Sequence, residues 1–394
     1  MSFGVTQELI ESFGETVFGL SLNRQRRTGD PVRELDFAAI EAQRADMGLS
    51  DAEISGRIGL TTEQVRFIRV VMERRRFRTN QYRKLFRLGG GRRYREERYM
   101  DPEEIQSFGE NALRLRQAMG FEAEAVKGFV GAGWWQGETL GDQLTRHATE
   151  RPDHPAIVVG DDVVSYAELA RRVEGLAGGL LELGLVRGDV VAVQLPNLAE
   201  FVIAFFAITA IGGVMSTIHM PYRETEIRAL LGHNRARAVI CLAATPDYQA
   251  AATMLDLKPE LPELEHVIVL GEAVAGTLDF AEVANGSLPL GGIENPPVAA
   301  DPFLLLYTSG TTDAPKGVPL SYQNMLANGR AAAPEHGVGP DDVILSAAPL
   351  SHLLGLYCPH LALAVGATML LLPAFSPPAL AATIEAGRAT MLLT

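Results

Sequence analysis

From about residue 138 onward, short apolar runs alternate with longer segments of helical periodicity. The runs have the length and the β-branched content of buried strands; they read AIVVG, VVAVQLP, ARAVICLAA, EHVIVLG, FLLLYTS, DVILSAAPL and ATMLLLP. Strand-then-helix repetition predicts an α/β domain with a largely parallel, buried sheet. The longest apolar run, 201–217, is shorter than the ~20 residues that a membrane span needs, and it predicts a buried core helix.

Residues 1–130 differ in composition and pattern: they contain few prolines, little β-type alternation and many Arg, Glu, Gln and Leu residues. The segment 49–71 resembles a helix-turn-helix, with Gly59 at the turn and apolar residues where that motif needs them: Ile54, Ile58, Leu60, Val65 and Ile68. We therefore expect three parts. These are an all-α module over 1–130, a Gly/Trp linker at 131–137 (GAGWWQG), and a further domain over 138–394.

The distribution of charge also distinguishes the N-terminal module from the rest of the chain. The whole chain has a formal net charge of −13, yet residues 51–100 carry 14 Arg and Lys against 6 Asp and Glu, a difference of +8. Such a basic segment suits either a nucleic acid or an acidic partner protein. Because the charge lies mostly after the second helix of the motif, it would attract any polyanion without reading sequence. We expect no specific DNA site, and instead a homo-oligomer or a protein contact through this module.

Two cysteines far apart in the chain, Cys241 and Cys358, make no disulfide framework. The first 30 residues show no basic start followed by an apolar core of the kind found in signal peptides. The expectation is a cytoplasmic protein without a membrane span.

The segment 303–321, FLLLYTSGTTDAPKGVPLS, places glycines, hydroxyl residues and one lysine between two apolar runs. It is not the common G-x-x-x-x-G-K-[ST] loop, since Pro315 and Gly317 occupy positions that this pattern reserves for other residues. Gly310 permits a tight turn whose backbone N–H groups can bind an anion, and Lys316 adds a positive charge. A polar hairpin without a ligand is the alternative that composition alone leaves open.

The string YTSGTTDAPKG resembles the signature loop of adenylate-forming enzymes, [YF]-T-S-G-[ST]-T-G-x-P-K-G, which include acyl-CoA synthetases. The resemblance extends over roughly 138–394 and includes VSYAELARRVEGLAGGLLELG and LSAAPLSHLLGL. It implies the layered αβαβα fold of their N-terminal domain, preceded here by the all-α module. It also implies that the loop binds ATP phosphates through Thr308, Ser309, Gly310, Thr311, Thr312, Lys316 and Gly317.

The same resemblance gives catalytic roles to Lys316 and to His352, which in PLSHLLG matches the histidine beside the reacting carboxylate. The implied reaction joins a carboxylic acid, expected to be a fatty acid, to AMP from Mg2+-bound ATP and then transfers the acyl group to coenzyme A. Two alternatives remain: transfer to a carrier protein, or a DNA-binding regulator with a degenerate ligase domain. No protein ligand for the metal is assigned.

Two departures from the family pattern affect these expectations. Asp313 stands where glycine is usual, and its carboxylate would repel phosphate unless it points outward. The chain also ends on the strand-like run RATMLLT, before the later segments of the family. The expectation is therefore a truncated chain that is inactive alone.

Overall fold

The computed structural model describes residues 12–14, 16–17, 51–62, 64–65, 68, 110–121, 123–286, 293, 296–308 and 316–393. The chain forms two compact units, Met1–Arg98 and Tyr99–Thr394. The Gly/Trp segment 131–137 lies inside the second unit, where the side chain of Trp135 is buried against the rings of Phe121 and Phe129. The functional division into 1–130, 131–137 and 138–394 remains a prediction.

In the first unit, helix α1 (Asp51–Ile58) is followed by a turn at Gly59, whose φ of 74° favours glycine. The next helical residues begin after Thr61, which exchanges hydrogen bonds with Gln64 as a capping box. Three of the apolar positions named by the sequence are fully buried: Ile54, Val65 and Ile68. The basic segment 72–98 lies outside the described residues, and the helix-turn-helix assignment stays a prediction.

The second unit alternates helices and strands. The helices are α2 (Glu110–Met119), α3 (Ala123–Gly131), α4 (Leu140–Glu150), α5 (Tyr166–Glu182), α6 (Ala199–Ala210), α7 (Glu224–Asn234), α8 (Ala250–Leu257), α9 (Phe280–Val283), α10 (Tyr322–Glu335), α11 (Leu353–Val365) and α12 (Pro377–Gly387). The strands are β1 (Pro155–Val159), β2 (Asp162–Ser165), β3 (Val190–Gln194), β4 (Val214–Thr217), β5 (Ala238–Leu242), β6 (His266–Leu270), β7 (Leu278–Asp279), β8 (Pro302–Thr308), β9 (Lys316–Ser321), β10 (Val343–Ser346), β11 (Thr368–Leu371) and β12 (Met391–Leu393).

These strands form two sheets. A seven-stranded sheet has the order β7-β6-β5-β3-β4-β8-β9, and a five-stranded sheet has the order β12-β10-β11-β1-β2. All neighbouring strands are parallel except the pairs β8–β9 and β1–β2. The largest apolar cluster fills the space between the sheets with α5, α6, α10 and α11, while α7 and α8 cover the far face of the larger sheet. Leu380 of α12 packs on the outer face of the smaller sheet.

This is the layered αβαβα arrangement, and the predicted fold class is confirmed. The apolar run 201–217, expected as one core helix, is instead most of α6 followed by strand β4. Gly212, with a φ of 74°, turns the chain between them. No helix in the described part of the chain is long and apolar enough to cross a membrane.

Candidate functional site

Two paired strands flank the predicted phosphate-binding loop. Strands β8 and β9 pair antiparallel, with Thr308 opposite Lys316 and Tyr307 opposite Gly317. Lys316 is exposed at the start of β9. The predicted strands on both sides of the loop are therefore present, and the loop itself lies outside the described residues, including four of the predicted phosphate ligands: Ser309, Gly310, Thr311 and Thr312.

Local sequence explains why the hairpin forms. Strand β8 is apolar and lies between β4 and β9, whereas β9 is an edge strand, where Pro319 is tolerated although it has no N–H to donate. Ser321 ends the hairpin and caps α10, since its Oγ accepts from the Asn324 N–H at 3.4 Å and its N–H donates to the Asn324 side chain at 2.8 Å. A defined helix start thus fixes the outgoing strand.

Gly317 lies in a tight contact. A Cβ at this position would be 3.0 Å from Leu305 Cδ1, 3.4 Å from Tyr307 Cε1 and 3.5 Å from His233 Cε1. The Tyr307 hydroxyl and His233 Nδ1 are 2.8 Å apart. Glycine next to Lys316 therefore lets the hairpin pack directly on the Tyr307–His233 pair.

Strand β8 ends at the same edge of the sheet as the neighbouring strand β4. The two strands are parallel, with Ser216 opposite Leu305, and His219 follows the carboxyl end of β4, while Thr308 is the last residue of β8. In parallel α/β sheets, ligands bind beyond the carboxyl ends of the strands. The hairpin and the residues after β4 therefore belong to one candidate site.

Four polar side chains lie close together at that edge. His219 Nδ1 lies 2.8 Å from Ser351 Oγ, and the rings of His219 and His352 stack with centroids 6.0 Å apart. Thr217 Oγ1 donates to the Ser351 carbonyl oxygen at 2.7 Å. The segment after β10 is thereby joined to the end of β4, across the two sheets.

The ionisation of His219 follows from its surroundings. Burial lowers the pKa of His219, and the nearby His352 lowers it further. His352 is exposed and caps α11, with Nδ1 accepting from the Leu354 N–H at 3.4 Å. Because Nδ1 accepts this hydrogen bond, the ring has its N–H at Nε2, which can donate to a ligand. Gly355 permits this turn, because a Cβ there would overlap the Pro349 carbonyl.

A cavity of about 410 Å³ opens beside this cluster. Its lining comes from the ends of β3, β4, β10 and β11 and is mainly apolar: Leu195, Pro196, Asn197, His219, Met220, Pro221, Tyr222, Ala347, Pro349, Ser351, Leu372, Pro373 and Phe375. Asn197 fixes one wall, since its Nδ2 donates to the Ala348 carbonyl at 3.1 Å and its Oδ1 accepts from the Leu350 N–H at 2.7 Å. Size and lining suit a small organic ligand.

Of the predicted residues, Lys316 and Gly317 lie on strand β9, Thr308 ends β8, and His352 begins α11 next to His219 of the cavity lining. Whether they form one site remains a prediction. Sequence reasoning missed His219, Ser351 and Asn197. A signal exists for Asn197 and Ser351, because each follows directly on a predicted buried strand, where parallel sheets place ligand-binding residues. His219 had no such signal, because it follows the run 201–217, which was predicted to be a helix. Among the described residues, no group of three or more His, Cys, Asp or Glu side chains could hold a metal ion.

Comparison with known proteins defines the class of this fold and site. Residues 144–394 match the family described as AMP-binding enzyme. A salicyl-AMP ligase/salicyl-S-ArCP synthetase of Mycobacterium tuberculosis is 31% identical over 275 residues, covering 67% of this chain and 48% of that protein. A medium-chain fatty-acid–CoA ligase of Escherichia coli is 28% identical over 288 residues, covering 71% and 50%.

Among solved structures, the apo structure of Mycobacterium smegmatis MbtA superposes with a TM-score of 0.63 at 34% identity, covering 69% of this chain and 51% of that one. The chain belongs to the AMP-binding enzyme family, and the resemblance read from YTSGTTDAPKG is confirmed. It spans about half the length of these relatives.

Proposed function

We propose that the protein carrying this chain is an adenylate-forming ligase. A carboxylate oxygen of the acid bonds to the α-phosphorus of ATP while the bond from that phosphorus to the bridging oxygen breaks, and pyrophosphate leaves. A thiol then attacks the acyl carbon, and AMP departs as the thioester forms. One observation carries the proposal: the family hairpin reaches the same sheet edge as the His219–Ser351 contact and the adjoining cavity.

In this proposal the hairpin holds the phosphates. The hydroxyl and backbone donors of the loop bind the β- and γ-phosphates, and Lys316 offsets the charge that gathers on pyrophosphate as it leaves. The assigned residues are those of the signature: Thr308, Ser309, Gly310, Thr311, Thr312, Lys316 and Gly317. Mg2+ would enter with ATP, because magnesium is commonly bound through substrate phosphates with few protein ligands.

The acid would lie in the apolar cavity with its carboxylate toward His352. In this proposal the Nε2–H of the exposed His352 donates a hydrogen bond to that carboxylate, and the contact between His219 and Ser351 forms part of the neighbouring wall. The apolar lining favours an acid with an apolar body, and a fatty acid remains our proposed substrate. The medium-chain fatty-acid–CoA ligase among the relatives supports this choice, whereas the salicyl-AMP ligase supports an aryl acid.

Coenzyme A is the proposed thiol, and a carrier protein is the second candidate, supported by the salicyl-S-ArCP synthetase among the relatives. We place the protein in the cytoplasm, with the 1–130 module making a homo-oligomeric or carrier contact. The regulator alternative, a DNA-binding module on a degenerate ligase domain, would require that the adenylation site no longer works.

The test is ATP–pyrophosphate exchange by the full-length protein with Mg2+ and a panel of fatty and aryl acids. Acid-dependent exchange supports adenylation, and the preferred acid names the substrate class. Offering coenzyme A and a phosphopantetheinylated carrier separately then identifies the acceptor from the thioester formed. Absence of exchange with every acid, from folded protein, would contradict the ligase proposal and favour the regulator.

A further inference from the structure

Strand β3 ends in a buried glutamine. All five residues of this strand are buried, and it lies between β5 and β4 in the larger sheet. Gln194, its last residue, is 1% exposed and lies at the carboxyl end of a parallel strand, where α/β proteins bind ligands. Burial of an amide costs desolvation, so the hydrogen bonds that it makes indicate its role.

The amide of Gln194 holds one turn at both of its ends. Residues 219–222 form a turn that is closed by a hydrogen bond from the Tyr222 N–H to the His219 carbonyl oxygen at 3.0 Å. Gln194 Nε2 donates to the carbonyl oxygens of the same two residues, at 3.1 Å to His219 and 3.2 Å to Tyr222. A primary amide has two N–H groups, and both are used here. One buried side chain therefore fixes the first and the last residue of the turn.

The orientation of this amide follows from its partners. Two carbonyl oxygens require the nitrogen, because the reverse orientation would place Oε1 against both of them. Oε1 of Gln194 is buried and has no hydrogen-bond partner among the described residues. An apolar side chain of the same length would avoid the cost of that unpaired acceptor. Glutamine is therefore suited to holding the turn rather than to filling space.

The turn is one wall of the cavity of about 410 Å³, because all four of its residues, 219–222, belong to the lining. Its first residue, His219, also lies 2.8 Å from Ser351 Oγ through Nδ1 and stacks on the ring of His352. A shift of the turn would therefore change both the shape of the cavity and the position of the His219 ring.

Arg223 supports the turn from a second side. Its Nη1 donates to the carbonyl oxygens of Met220 at 2.8 Å and of Tyr222 at 3.0 Å. The Tyr222 carbonyl thus keeps a donor when Gln194 is replaced, and the His219 carbonyl keeps the Tyr222 N–H. Loss of the glutamine donors should loosen the turn without leaving either carbonyl unpaired, and we expect such a variant to fold.

We propose that Gln194 is a positioning residue for the acid substrate. It holds the turn 219–222 in place as a wall of the cavity, and it thereby sets the affinity for the acid but not the affinity for ATP. The inference rests on the proposed function, because it takes the cavity as the site of the acid. Residues of the turn would touch the acid, and Gln194 acts through them.

The experiment measures KM for the acid and KM for Mg·ATP separately, in ATP–pyrophosphate exchange by the full-length protein with octanoate and salicylate as the first acids of the panel. Gln194→Met keeps the length of the side chain and removes both donors. It should raise the KM for the acid by about 3- to 30-fold, the effect of losing one to two net hydrogen bonds, and leave the KM for Mg·ATP unchanged.

The matched control is Gln143→Met on α4. Gln143 is also 1% exposed, and its Oε1 also lacks a hydrogen-bond partner among the described residues, but it does not line the cavity. The same substitution there should leave both KM values unchanged. An equal rise of the KM for the acid in the two variants would overturn the inference.

Arg223→Met supplies a second variant, at a side chain that is 40% exposed. It should raise the KM for the acid by a smaller factor, because Gln194 still holds both ends of the turn. An unchanged KM for the acid in folded Gln194→Met, or an equal rise in both KM values, would overturn the inference and leave the proposed function standing. If Gln194→Met does not fold, an unchanged KM for the acid in Arg223→Met would overturn it. Failure of the wild type to catalyse exchange with any acid would overturn both.

Discussion

Replacing His360 by leucine tests how the core between the two sheets responds to acid. His360 lies on α11, is 1% exposed, and has its ring edge-on to Phe205 and Phe303 with centroids 5.6 and 5.8 Å apart. Neither ring nitrogen has a hydrogen-bond partner among the described residues. Burial alone lowers the pKa of His360 from 6.5 to about 4. The core therefore accepts this ring only in its neutral form.

The sign and size of the effect follow from linkage. Between pH 6.5 and 4 the unfolded chain binds a proton at His360 while the folded chain does not, so folding stability falls as the pH falls. One pH unit in this window corresponds to about 1.4 kcal/mol, so the full loss is about 3 kcal/mol below pH 4. At pH 5 about 2 kcal/mol of it should already be lost.

The assay is urea unfolding of wild type and His360→Leu at pH 7.5 and pH 5. Leucine carries no proton, so wild type should lose about 2 kcal/mol more than the variant on acidification. The other histidines whose pKa is lowered by burial are present in both proteins and cancel: His147, His154, His219 and His233. Equal losses in the two proteins would refute the assignment of a neutral, unpartnered His360.

Three further outcomes are expected. Lys316→Ala should slow ATP–pyrophosphate exchange on the order of 10- to 1000-fold by removing charge stabilisation, and Lys316→Arg should restore it only in part; an unchanged rate would contradict the phosphate role. Asp301→Ala removes the carboxylate that Arg187 binds at 2.8 and 3.0 Å, and it should lower the free energy of unfolding in urea by about 3–5 kcal/mol. A loss below about 1 kcal/mol would contradict a stabilising role of this buried ion pair. Titration with DNA duplexes at physiological salt should show weak, salt-sensitive binding, whereas a preference of about 1000-fold for one sequence would promote the regulator alternative.

The strands could be predicted because each central one is buried on both faces and reads as a continuous apolar run; all five residues of β3 are buried. The boundary between α6 and β4 was missed for the same reason. Both elements are buried on all sides, so the run 201–217 has no period to reveal a change of structure. The division into two sheets could not be predicted from local sequence pattern either, because it depends on pairing between distant strands, such as Ile157 of β1 with Met369 of β11.

Some residues of the candidate site could likewise be predicted from the sequence, and others could not. The hairpin residues Lys316 and Gly317 could be named because the loop is one contiguous string with a recognisable composition. The contact between His219 and Ser351 joins positions 132 residues apart, and Asn197 reaches Leu350 across 153. Such contacts come from the packing of one sheet against the other, and no spacing of residues along the chain predicts them.

Helix α11 connects the core to the candidate site. It begins at the capping residue His352 beside the cavity and carries His360 two turns further on, between the phenylalanines of the core. Pro359 lies inside this helix directly before His360, where it removes one backbone hydrogen bond. A proton forced onto His360 would disturb the core, and we expect part of that disturbance to reach His352 through the turns of the helix that precede the proline. His360→Leu should therefore keep His352 in place at acidic pH, where protonation of His360 destabilises the wild-type helix.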